Sequence, residues 1–238
     1  MFLKKVNFDF STLSSKSYLN TLPYVDIDSI SFSKPIVFLT GDNGVGKSTL
    51  LESLAYHFNM NREGGSNNFI LDKTNVSPLF EYTSIEGSQS ISYGFFFRSD
   101  TFFSIEEVLD QYGKDLKYTY NGGDKTFKEQ SHGESFMSFF RSRLGSNALY
   151  FFDEPENALS FENQVLFLFL LKEFEAQGNQ IIIVTHSPVL LSYPNAQIIS
   201  IKKEGIEDVA YENTEQFSNY KNFLENYKSY QKEILNFD

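Results

Sequence analysis

The run Ile36-Val37-Phe38-Leu39 passes directly into "TGDNGVGKST" and then into "LLESLAYHF". Four consecutive apolar residues leave no polar face. A strand built from them must be buried on both sides, as in a parallel sheet covered by helices. Leu50, Leu51, Leu54, Ala55 and Phe58 then recur at helical spacing. A buried strand, a glycine-rich loop and a helix in that order commit the chain to an α/β unit. Two further apolar runs repeat the pattern, "ALYFF" at 148–152 and "QIIIV" at 180–184.

The remaining segments fit around these three strands. Ser160 is placed to cap a helix over 161–176 that stops near Gly178. Ser187 and Pro188 suit the cap and first position of another. "AQIISIKK" and "GIEDVAY" are expected to complete the sheet, and a polar helix over about 214–235 closes the chain. Before the first run, "FLKKVNFDF" reads as a strand, and "ISFSKPIVFLT" as a strand region broken at Pro35. Residues 60–80, rich in Asn, Ser and Gly, read as loop, and "SISYGFFF" (90–97) as a strand. A helix is expected at 104–112, where Ser104 and Glu107 are spaced as a capping box. A hairpin or a mobile excursion around Asn121-Gly122 and a helix over 134–144 follow. The expectation is one domain over residues 1–238, with a small lobe or insertion at approximately 60–128.

Composition removes several function classes. The chain has 238 residues, no cysteine and three histidines. Disulfides, thiolate nucleophiles and Cys-type zinc sites are excluded, and His57, His132 and His186 are too few for a dedicated histidine metal site. A net charge of −11 argues against a general nucleic-acid binder, whose footprint is basic. The N-terminus lacks the apolar run of a signal peptide, and "VLFLFLL" at 165–171 is far shorter than the roughly 20 residues of a spanning helix. The protein is therefore expected to be cytoplasmic, without membrane insertion.

The loop Gly41-Asp42-Asn43-Gly44-Val45-Gly46-Lys47-Ser48-Thr49 fits G-x-x-x-x-G-K-[ST] in full. Its glycines let backbone N–H groups turn inward, and the following helix offers its positive end to the same anion. Lys47 is expected to reach the β- and γ-phosphates of a nucleotide, and Ser48 to offer its hydroxyl to Mg²⁺. A glycine-rich turn can match this pattern by accident, but here a strand precedes it and a helix follows.

"LYFFDEPE" carries two carboxylates out of a buried strand at its C-terminal end, where open α/β sheets bind ligands. Asp153 is placed to hold Mg²⁺, and Glu154, pointing the other way, to orient and deprotonate an attacking water. The plain alternative is a strand end solvated by acids. His186 follows the third run in "IIIVTHSP", at the same sheet edge, where an imidazole can sense a γ-phosphate or simply be structural.

Together these motifs resemble the ATP-binding-cassette (ABC) ATPase superfamily. The order matches: P-loop at 41–49, signature near 131, Walker B at 149–154, D-loop near 157–160 and switch histidine at 186. "EGGSNNF", "QSHGESF" and "THSPVLLSYP" further resemble a family of stand-alone predicted ATPases near the SMC/RecF branch. The resemblance implies a P-loop NTPase fold, a mainly parallel sheet flanked by helices with a small antiparallel β region. It implies ATP and Mg²⁺ as ligands, with Ser131, Gly133 and Glu134 of "SHGE" contacting the nucleotide of a second subunit in an ATP-dependent homodimer. His132 departs from the usual glycine. The glutamine expected after the "SYGFFF" strand is also missing; "RSD" stands there, leaving Arg98, Ser99 or Asp100 as its substitute. Tyr24 is a candidate for stacking on adenine.

The expected function is ATP binding and hydrolysis, with a cycle read by a partner protein or by DNA, although the net charge does not support DNA. The alternatives are a nucleotide-gated interaction module with negligible hydrolysis and an ATPase subunit of a membrane transporter.

Overall fold

A computed structural model describes residues 1–68, 71–88, 90–101, 137, 140–141 and 145–235. Two sheets organise them. The first has three antiparallel strands in the order β2-β1-β5: β1 (Leu3–Phe8), β2 (Ser29–Ser31) and β5 (Thr83–Gly87). The second has seven, ordered β10-β9-β3-β8-β7-β6-β4. These are β3 (Ile36–Gly41), β4 (Gly65–Ser66), β6 (Tyr93–Arg98), β7 (Ala148–Asp153), β8 (Gln180–Val184), β9 (Gln197–Lys202) and β10 (Gly205–Asp208). The five central strands are parallel; the edge strands β10 and β4 pair antiparallel. The expected fold class is borne out.

The apolar runs do what two-sided burial requires. Every residue of β3, β7 and β8 is buried. Alternate side chains serve two cores: Leu149 and Phe151 of β7 face one, Tyr150 and Phe152 the other. The first core lies under helix α1 (Lys47–His57) and the antiparallel sheet, with Leu50, Leu51 and Leu54 fully buried. The second lies under helix α2 (Phe161–Ala176), which buries Phe167, Leu170, Leu171 and Phe174 at i, i+3, i+4 and i+7. Burial of each such side chain contributes roughly 1.5–3 kcal/mol. Ser160 caps α2 by accepting from the N–H of Asn163, and Gly178 follows at φ 77°. Helix α3 (Pro188–Leu191) is one short turn capped by Ser187, and α4 (Glu215–Leu235) ends the described chain.

Pro35 separates β2 from β3, as its position in "ISFSKPIVFLT" suggested. Strands β4 and β5, and short 3-10 turns at Tyr18–Thr21 and Pro23–Asp26, were not expected. In "TSIEG" only Ile85 is apolar, so β5 gives little alternation to read; its pairing with β1 sets it in place. The side chain of Gln180 joins the two sheets, accepting from the N–H of Phe2 and Leu3 at 2.8 Å each and donating to Leu3 O at 2.7 Å. Of the expected small lobe, β6 joins the main sheet and β5 the antiparallel one. The helix at 104–112 and the hairpin around Asn121-Gly122 lie outside the described residues.

Candidate functional site

The parallel strands point their C-terminal ends to one edge, and the candidate residues collect there. Between β3 and α1, the loop holds Gly41, Gly44 and Gly46 at φ 122°, 77° and 84°. At Gly41 the constraint is also spatial: a Cβ would stand 2.0 Å from Ile201 O on the neighbouring strand. Gly46 takes a left-handed conformation directly before the helix, packed over Leu22 and Tyr24. Asn43 and Gly44 are exposed at the tip, while Val45 is buried in the core and anchors the loop. Asp42 accepts from the N–H of Lys203 at 3.4 Å. Thr49 O accepts from the hydroxyl of Ser77 at 3.1 Å.

Lys47 is turned back into the loop. Its Nζ donates to Asp42 O at 2.6 Å and Gly41 O at 3.2 Å. Burial lowers its pKa, opposed by the charges of Glu154, Asp42 and Asp153. The ammonium thus occupies carbonyls of the loop that an anion would draw it away from.

Ser48 and Asp153 meet across the sheet edge, where the serine hydroxyl donates to Asp153 Oδ1 at 2.9 Å. Asp153 is 7% exposed, and burial pushes its pKa up to about 6 against the opposing effects of the Ser48 hydrogen bond and the Arg98 charge. Glu154, next in the chain, leaves the strand in a left-handed conformation at φ 49°, ψ 55°. Its N–H donates to Val184 O at 2.9 Å, tying it to β8. Its Oε2 accepts from the side-chain amide of Asn157 at 2.9 Å, and its Oε1 lies 3.9 Å from His186 Nε2. Burial lowers the pKa of His186, and so does the charge of Lys47, against the opposing effect of Glu154. The N–H of His186 donates to Glu156 Oε1 at 2.6 Å, and burial raises the pKa of Glu156 against that hydrogen bond.

The structure thus brings Lys47, Ser48, Asp153, Glu154 and His186 to one edge. Ser131, Gly133 and Glu134 of the signature, and His132, lie outside the described residues. Tyr24 is corrected: it is 0% exposed, stacked on Phe8 with ring centroids 5.3 Å apart, and cannot reach a base. It supports Gly46 from beneath instead. Two features escaped the sequence reading. Asn157 holds Glu154 from three residues along a turn, a spacing that was visible but carried no distinctive residue type. Glu52, one helical turn after Ser48, binds both Arg62 and Arg98. Among the described residues, no cluster of three His, Asp or Glu forms a metal site.

A cleft of about 1240 Å³ opens beside this edge. Asn43, Glu154, Asn157 and His186 line one side, and Phe161, Leu168, Tyr220 and Leu224 the other. Lys47, Ser48 and Asp153 do not line it, so the cleft adjoins the candidate metal edge rather than containing it.

Comparisons with known proteins agree with this architecture. Residues 136–192 match the model of a family described as "AAA domain, putative AbiEii toxin, Type IV TA system". That stretch carries β7, the two acids, α2, β8 and His186. No curated protein sequence matches the chain. Among solved structures, an inward-facing ABC transporter described as of metal-chelate type is 18% identical, with a TM-score of 0.50 over 92% of this chain and 88% of that one. An Smc head bound to the C-winged helix domain of ScpA is 13% identical, with a TM-score of 0.50 over 88% and 97%. The strand order, the edge geometry and these likenesses together show the fold shared with that ABC transporter and that Smc head.

Proposed function

We propose that this protein binds ATP with Mg²⁺ at the sheet edge and hydrolyses it. The observation that carries the reading is the 2.9 Å approach of Ser48 to Asp153, beside Lys47 and with Glu154 next in the chain. The donor set suits Mg²⁺, which takes oxygen ligands and is held by one or two carboxylates together with substrate phosphates. Ser48 and Asp153 would hold it, and it would neutralise charge on the β- and γ-phosphates.

In this reading Lys47 leaves the carbonyls of Gly41 and Asp42 for the phosphates, and the loop N–H groups cradle them. Glu154 accepts the proton of the water whose oxygen bonds to the γ-phosphorus as ADP departs. Asn157 fixes one carboxylate oxygen and leaves the other toward His186. Neutral His186 has one ring N–H to donate, suited to a γ-phosphate oxygen.

The resemblance to ABC ATPases adds a head-to-tail dimer formed on ATP, with Ser131, Gly133 and Glu134 completing the partner's site. It also adds a protein partner that reads the cycle; the Smc head, with its bound winged-helix domain, offers one precedent. A cytoplasmic location belongs to the same reading. Among the described residues no helix is long and apolar enough to cross a membrane. The test is light scattering with and without Mg-ATP, alongside phosphate release. A monomer that doubles in mass only with Mg-ATP, and releases phosphate, supports the proposal. A constant mass with no phosphate release overturns it.

A further inference from the structure

The glutamine that the motif order leads one to expect after β6 is absent, and the structure fixes what stands there. Arg98 is the last residue of β6 and lies directly opposite Asp153 in the parallel register of β6 and β7. Its guanidinium is held on three sides. Nε and Nη2 donate to the two oxygens of Asp100 at 3.1 and 2.9 Å. Nη1 donates to Glu52 Oε1 and to Arg62 O. Glu52 is 5% exposed, and its second oxygen accepts from Arg62 Nε at 2.8 Å. Glu52 also sits four residues after Ser48, on the same face of α1.

These contacts close a loop through the fold. Ser48 and Glu52 belong to one helix face; Glu52 grips Arg98; Arg98 neighbours Asp153; and Asp153 accepts from Ser48. The Arg98 guanidinium is paired with Glu52 and Asp100, and its charge also favours the ionised form of the neighbouring Asp153. These bonds commit four of its five N–H donors, and it cannot itself ligate a metal because it has no acceptor.

We infer that Arg98 is a positioning residue for the metal edge, fixing the distance between Ser48 on α1 and Asp153 on β7 through its grip on Glu52. It takes the sequence place of the missing glutamine by a different means, bracing the two ligand-bearing elements instead of touching the ion. Asp100 is thereby separated from that role and serves as the outer half of the arginine clamp. The inference rests on the proposed Mg²⁺ site.

The test is ATP affinity by equilibrium titration, once in EDTA and once in excess Mg²⁺, so that the gain due to the metal is read as a ratio. Supporting residues behind metal ligands typically cost about 10–100-fold in metal affinity when replaced. Arg98→Met, which keeps the stem and offers no oxygen to a metal, should lower the Mg²⁺-dependent gain about tenfold while leaving affinity in EDTA within about twofold. Asp100→Asn, at an exposed position, keeps the test available if Arg98→Met does not fold; it should lower the gain in the same direction, by less. Arg98→Lys should rescue little, because an ammonium cannot reproduce the planar fork. An unchanged or increased Mg²⁺ gain in Arg98→Met overturns the inference, as does an equal loss in EDTA, which would make Arg98 a general prop of the fold. No Mg²⁺ gain in the unmodified protein would instead overturn the proposed ATP site, and this inference with it.

Discussion

Strand β7 and helix α4 are both rich in aromatic residues and put them to opposite use. Tyr150, Phe151 and Phe152 of β7 are 0% exposed, packed into the two cores on either side of the sheet. Tyr220, Phe223 and Tyr227 of α4 are 57%, 51% and 44% exposed, and no residue of that helix is buried. The strand is locked from both faces, so the carboxylates at its end stand at fixed distances from α1 and β8. The helix is fastened near its start, through the Lys202–Glu215 ion pair at 2.7 Å and the Tyr211–Phe217 ring contact, and Asn226 breaks its regularity at φ −124°. Aromatic content therefore says little about rigidity. What places a functional group is burial on two sides.

That contrast yields measurable differences, the largest at the sheet edge. Glu154→Gln should slow phosphate release by roughly 10²–10⁴, the usual worth of a positioned base, while ATP binding persists. A rate within threefold or so of the unmodified protein would remove Glu154 from the chemistry. Behind it, Phe152→Ala should cost about 3–5 kcal/mol in denaturant unfolding, as expected of a fully buried aromatic.

Asp153 gives the next effect. Its pKa is raised from 3.8 to about 6, mainly by burial, so the folded protein holds this proton more tightly than the unfolded chain does. The stabilisation from that proton is complete below about pH 4 and is lost as pH rises through 6, a change of about 3 kcal/mol. Without Mg²⁺, Asp153→Asn should therefore resist urea better than the unmodified protein at pH 7, with the advantage shrinking toward pH 4. Equal stability at both pH values would show that the carboxylate is better solvated than its burial implies. At the far end of the scale, Leu224→Ser on α4, where the leucine is 69% exposed, should change stability by no more than about 0.5 kcal/mol. A loss of 2 kcal/mol or more would mean that this face is covered in solution, which would end the contrast between the two regions.

The sequence was most legible where one segment dictates its own state. The runs at 36–39, 148–152 and 180–184 could only be buried strands, and the cap at Ser160 with Gly178 marked both ends of α2. Strand order was not legible, because β3 lies between β8 and β9, and such neighbours are chosen by tertiary packing. In the candidate site, Gly41 to Thr49, Asp153 and Glu154 stood out by type and spacing, whereas His186 by spacing alone was as readily structural and drew its role from the resemblance. The Glu52–Arg98 contact did not, since it joins residues 46 apart that carry no shared motif. Tyr24 was misjudged for a related reason: a tyrosine in sequence gives no sign of whether it will line a site or lie beneath one.

The backbone at Glu154 holds a conformation that glutamate seldom adopts. Among the described residues, the other non-glycine positions at positive φ are Asn59, Asn147 and Asn195, and asparagine is the side chain best suited to that conformation. Glutamate is not; the left-handed turn costs it about 1 kcal/mol or more. Glycine at 154 would relax the turn and erase the carboxylate in a single step. With Glu154 in the role proposed above, the sharp exit from β7 is a place where durability and activity are opposed, and where a search for sturdier variants would tend to select inactive ones.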